Sequence, residues 1–121
     1  MQACSLLHVE DEDSSACLFR TALRHAGIAV SVYRLSDGEQ ALAFLTRLGP
    51  YLTARRPELV VLDLNMPGVN GWEVLLKIRA NDDLQKIPVV VLSTSSRSED
   101  KTRAFSLGAR RYVVKPPTSM V

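Results

Sequence analysis

"VVLDLNMPGVNGWEVL", residues 60–75, sets one carboxylate, Asp63, near the end of an almost wholly apolar run. The hydrophobic stretch 58–64 is nearly continuous rather than alternating, the pattern of a strand covered on both faces in a parallel α/β sheet. Behind it comes a turn rich in Pro, Gly and Asn. A helical segment then spans 71–80, with Val74, Leu75 and Ile78 on one stripe. Desolvation makes a charge costly in a buried strand, so a carboxylate at its tip requires a reason.

The same alternation repeats on both sides. "CSLLHV" (4–9) is a short strand candidate, followed by a helix over 14–27 with Leu18, Thr21, Ala22 and His25 at helical spacing and Gly27 as its stop. "IAVSVYRL" (28–35) has β-branched alternation, and 36–49 predicts a helix with Ser36 or Asp37 as N-cap and Gly49 as C-cap. "PYLTARRPE" (50–58) is a polar connection expected to form a surface loop. "IPVVVLS" (87–93) is another buried strand, "SEDKTRAFSLGA" (98–109) a capped helix with an acidic first turn and Gly108 at its end, and "RRYVVKP" (110–116) a last strand. Five such strands predict a flavodoxin-like three-layer α/β sandwich with a five-stranded parallel sheet in the order 2-1-3-4-5. The last strand should be covered by a further helix, yet the chain stops at Val121, so the final helix is expected to be missing from it.

Composition bounds the rest. At 121 residues the chain is read as one domain, 1–121, and 46% hydrophobic with 23% charged residues is neither the signature of disorder nor a membrane pattern. No apolar run approaches the about 18 residues needed to span a bilayer. "MQACSLLHVEDED" lacks the basic start and long apolar core of a signal peptide, which implies a cytoplasmic protein with no membrane association. A net charge of +2, spread along the chain, gives no case for nucleic-acid binding. Cys4 and Cys17 have no metal spacing and are expected to be small buried hydrophobes, and His8 a satisfied core histidine.

Ligands bind outside the carboxyl ends of strands in open parallel sheets. Those ends carry "EDED" (10–13) after the first strand, Asp63 then Asn65 at the third, Ser93 and Thr94 at the fourth and Lys115 at the fifth. Clustered carboxylates raise one another's pKa unless a cation intervenes, and a hard divalent ion such as Mg²⁺ suits such oxygens. Lys115 adds a positive charge that could pair with Asp63 or meet an incoming anion, and Ser93 adds a hydroxyl. The set suits a phosphoryl group, and an aspartate can itself be the nucleophile. Taken singly, each has a plainer account: an acidic run suits a helix N-terminus, a serine ends many strands, and a lysine snorkels at a surface.

The stretches "VEDED", "VVLDLNMPGVNGWEVL", "IPVVVLSTSS" and "YVVKP", in this order, resemble the receiver domain of two-component response regulators over essentially the whole chain. The wording around "LNMPG" is most similar to stand-alone receivers paired with phytochrome-type or hybrid histidine kinases. The resemblance implies Asp63 as phosphoacceptor, taking a phosphoryl group from a sensor histidine kinase or phosphotransfer protein. It implies a Mg²⁺ site of Asp11, Glu10 through water, Asp63 and the carbonyl of Asn65. Ser93 would move to the phosphoryl group, Lys115 would hold its charge, and Tyr112 would be the switch aromatic, turning inward. Lys115–Pro116 would be a cis peptide. Asp13 is expected to be an N-cap outside the metal set, with Glu12 flanking it. The output surface would lie at the fourth helix and fifth strand, where a homodimer could form. Pro117 and Asn70 depart from the family's usual residues.

Three rivals are weighed against this. An aspartate-nucleophile phosphatase would need an acid two residues after Asp63, where Asn65 stands. A flavin phosphate would be repelled by "EDED". A receiver acting as a phosphate-independent binding module usually lacks one of Asp11, Asp63, Ser93 and Lys115.

Overall fold

The computed structural model describes residues 4–66 and 70–115. Among the described residues five strands alternate with four α-helices: β1 (Cys4–Val9), α1 (Asp13–His25), β2 (Val30–Leu35), α2 (Gly38–Thr46), β3 (Leu59–Asp63), α3 (Gly71–Ala80), β4 (Val89–Ser93), α4 (Ser98–Ser106) and β5 (Arg111–Val114). All pairings are parallel and the sheet order is β2-β1-β3-β4-β5, as expected. Among the described residues no helix is long and apolar enough to cross a membrane. The expected cis peptide at Pro116, the position of Pro117 and any covering of β5 by later residues lie outside the described residues.

The topology follows from the strand composition. Leu7 and Val9 of β1, Val60 and Leu62 of β3 and Val91 of β4 are buried with Leu45, Val74, Leu75 and Ile78 of the helices in one core cluster. Each such side chain contributes about 1.5–3 kcal/mol on burial. The α3 stripe at Val74, Leu75 and Ile78 is the one that faces this core. β1 pairs with β2 on one side and β3 on the other, so the chain reverses direction across the sheet at β1. The connections leaving β1 and β3 therefore part, and a crevice opens at the carboxyl end of these two strands.

Local chemistry sets the element ends. The Asp37 side chain accepts from the Gln40 amide at 2.7 Å and starts α2, while Asn70 accepts from the Glu73 amide at 3.1 Å and starts α3. α2 stops earlier than expected, with Arg47 rather than Gly49 taking the left-handed C-cap conformation at φ 60°. The polar connection behind it is not all loop, since Gly49–Tyr51 form a 3-10 turn that packs Tyr51 against Phe44 at 5.4 Å between ring centroids.

Three further expectations are corrected. Glu12, not Asp13, is the N-cap of α1 and makes no side-chain cap bond; Asp13 is the first helical residue and pairs with Arg34 at 2.6 Å. Cys4 is half-buried and Cys17 exposed, so neither is a core residue. α4 lacks the expected cap at its own N-cap position, because Arg97 stands there and its side chain makes no capping bond.

Candidate functional site

Four strand ends deliver the polar groups to one edge. Glu10 follows β1, Asp63 and Ser93 are the last residues of β3 and β4, and Lys115 follows β5. Register carries this through: Asp63 pairs with Leu92, one residue before Ser93, and the Lys115 amide donates to the Ser93 carbonyl at 2.7 Å. Glu10, Asp63 and Ser93 are each no more than 2% exposed. Buried polar side chains at this density are rare unless they are paired.

The Lys115 ammonium supplies the pairing, donating to Glu10 Oε1 at 2.9 Å and to Asp63 Oδ2 at 3.3 Å. The other Asp63 oxygen, Oδ1, accepts from the Asn65 amide at 2.9 Å. Burial alone pulls the Lys115 pKa down, but its bond to Glu10 and the charge of Asp63 outweigh that and raise it. Glu10 is pushed up to about 7, chiefly by burial and then by the neighbouring Asp63 carboxylate, against the opposing pull of Lys115. The contact to Glu10 adds to the sequence expectation, in which Lys115 faced only Asp63 or an anion.

One carboxylate oxygen each from Glu10, Asp11 and Asp63 lies within 4.8 Å of the other two, with Asp11 on the exposed side. Three clustered carboxylates beside a single lysine leave a surplus of negative charge, in line with the raised Glu10 pKa, and such oxygens are the donor set of a hard divalent cation. Asn65 contributes more than its backbone. Its Oδ1 accepts from Ser93 Oγ at 3.3 Å, the Thr94 amide at 3.1 Å and Thr94 Oγ1 at 3.3 Å, so it joins the ends of β3 and β4. Tyr112 is half-buried and points inward, its hydroxyl donating to the Ser95 carbonyl at 2.8 Å.

The remaining sequence candidates stand apart or in support. Glu12 accepts from Ser14 at 2.6 Å, and Asp13 pairs with Arg34. Arg34 also donates to the Glu10 carbonyl at 3.0 Å and holds the loop after β1, a role that no local signal betrays because the two residues are 24 apart. His8 is buried against Phe19 at 4.3 Å between centroids, but neither ring nitrogen has a partner among the described residues, so it is not the satisfied histidine expected. Burial lowers its pKa to about 4.

Comparison with known proteins places this geometry. The model of the response regulator receiver domain matches residues 6–120. Response regulator Rcp1 of Synechocystis sp. is 40% identical over 110 residues, 91% of this chain and 75% of that protein. The phosphorylated cyanobacterial phytochrome response regulator RcpA superposes with a TM-score of 0.89 at 36% identity, over 97% of this chain and 84% of that one. The Mn²⁺-bound form of Rcp1 gives 0.88 at 38% identity, over 96% and 84%.

Proposed function

This chain belongs to the receiver domain family of response regulators, the phosphoacceptors of two-component signalling, and is similar to phytochrome response regulators; on that premise we propose that Asp63 is its phosphoacceptor. The observation that carries the proposal is the double use of Lys115, which bridges Glu10 and Asp63 at the mouth of the β1–β3 crevice. The Asp63 carboxylate, though buried, thus stands beside a fixed cation at the strand end. Residues 1–121 act as one domain.

One Asp63 oxygen forms the new O–P bond while the P–N bond of a donor phosphohistidine breaks and its electron pair returns to the imidazole. The Asn65 amide and Lys115 orient the carboxylate for this attack. Lys115 and the Ser93 hydroxyl then hold oxygens of the bound phosphoryl group. Glu10, Asp11, Asp63 and the carbonyl of Asn65 are the groups that would hold Mg²⁺; the Mn²⁺-bound form of Rcp1 and the clustered carboxylates support a divalent ion here. When bound, the ion supplies positive charge that offsets the charge of the transferring group. The donor is a sensor histidine kinase or a phosphotransfer protein, met in the cytoplasm. Phosphorylation shifts Ser93 and the surface of α4 and β5, where exposed Phe105, Val113 and Val114 suit a partner or a second copy of the chain.

Incubation with Mg²⁺ and acetyl phosphate, followed by intact mass measurement, tests the assignment. One phosphate is expected on the wild-type chain and none on Asp63→Asn. An equal gain on both proteins, or no gain at any Mg²⁺ concentration, overturns it.

A further inference from the structure

Ser95 lies two residues beyond the site residues and belongs to none of them, yet four hydrogen bonds meet on it. Its amide donates to Ser93 Oγ at 3.1 Å. Its hydroxyl donates to Asp100 Oδ2 at 2.5 Å and accepts from the Arg97 amide at 3.2 Å. Its carbonyl accepts from the Tyr112 hydroxyl at 2.8 Å. One half-buried serine thus joins the end of β4, the first turn of α4 and the middle of β5.

We propose that the Ser95 hydroxyl and the Asp100 carboxylate form a clasp that makes α4 follow Ser93, so that both are positioning residues for the phosphorylation response. The proposal rests on the phosphoacceptor reading of Asp63. The Ser93 hydroxyl has one proton, which it now gives to Asn65 Oδ1 at 3.3 Å. To donate to a phosphoryl oxygen instead, Ser93 must turn, and the lone pair offered to the Ser95 amide turns with it. Ser95 must then shift or lose that bond.

Asp100 decides what the shift reaches. A bond between a hydroxyl and a carboxylate is charge-assisted and short, so it is the stiffest of the four. α4 has no cap from Arg97, its own N-cap residue, so the Ser95 hydroxyl and Asp100 are what hold its first turn to the β4 end. Displacing Ser95 therefore displaces or frays that turn. Without the clasp, Ser93 would turn and α4 would stay indifferent.

Hydrogen exchange of the amides in residues 95–101, measured on the full chain before and after acetyl phosphate with Mg²⁺, separates a clasp from a plain helix cap. In the wild type, phosphorylation is expected to change exchange there by about tenfold. In Ser95→Ala and in Asp100→Ala the phosphate is still gained by mass, but the change falls below about twofold, and Ser95→Thr restores it. If both variants exchange faster by the same factor in both states and keep the wild-type change, Ser95 is only a cap and the proposal is overturned. If the wild type gains no phosphate, the phosphoacceptor reading fails first, and the mass measurement shows that separately.

Discussion

At position 71 the chain has no room for a side chain. A Cβ there would overlap the Asp63 carbonyl oxygen and the Leu64 Cα, both backbone and neither free to move aside. The close approach sets α3 directly against the end of β3 and helps fix where Asp63 stands. Gly71→Ala is expected to cost at least about 2 kcal/mol in urea unfolding and to slow phosphorylation as well. The glycine is plain in "NMPGVNG", but its contact is not, because it depends on how α3 docks. His8 and Glu10 give a second residue-scale prediction, measured without divalent ions. His8 has a depressed folded pKa, about 4 against 6.5, so its stabilising contribution is present above pH 6.5 and lost as pH falls through 4, about 3 kcal/mol in all. Glu10 has a raised folded pKa, about 7 against 4.5, so its contribution is present below pH 4.5 and lost as pH rises through 7. The two oppose each other over nearly the same window. His8→Leu should therefore raise stability at pH 5 more than at pH 8, as read from unfolding at the two values; an equal gain at both would contradict it. Both groups were legible as titratable residues of the first strand and its end. Their unusual ionisation was not, since it comes from burial and, for Glu10, from its neighbours Asp63 and Lys115, far away in sequence.

At the scale of elements, short-range signals were read well where one residue acts alone. Asp37, offered with Ser36 as the N-cap, accepts the amide three residues ahead, and α3 begins and ends where its apolar stripe places it; Asn70 caps α3 in the same way, a role the sequence reading did not give it. Asp37→Ala is expected to cost about 1 kcal/mol of stability in chemical denaturation while leaving phosphate uptake unchanged, because among the described residues the Asp37 side chain bonds only the Gln40 amide of α2. The readings that missed were those in which neighbours compete. Four acids in a row offer several N-caps, and the long-range pull of Arg34 draws Asp13 into the helix instead. Arg47, not a glycine, ends α2, in a left-handed conformation backed by its Nε bond to the Ala54 carbonyl at 3.0 Å. α4 shows the same limit: its acidic first turn was visible, but Asp100 turns back to Ser95 rather than serving the helix alone.

For the whole molecule, five apolar runs separated by helical segments were enough to reach a parallel sheet and its order. A parallel order in turn brings the ends of β1, β3, β4 and β5 to one edge, so the site residues were legible as a set before any distance was known. What sequence could not supply was the rest of the wiring between them, the Lys115 contact to Glu10 and the Asn65 hub, because hydrogen-bond partners 28 to 105 residues apart leave no local trace. That wiring leads to a whole-molecule prediction on metal. Mg²⁺ at about a hundred times its Kd should raise unfolding stability by about 2.7 kcal/mol in the wild type and hardly at all in Asp11→Asn, as followed by thermal melts. The central claim, that Asp63 carries the phosphoryl group, is tested most directly by locating it. Borohydride reduces an acyl phosphate on aspartate to homoserine, which peptide fragmentation by mass spectrometry assigns to one residue. After treatment with acetyl phosphate and Mg²⁺, homoserine at position 63 and nowhere else is the result expected; homoserine at Asp11 or another acid, with position 63 unchanged, would contradict the account.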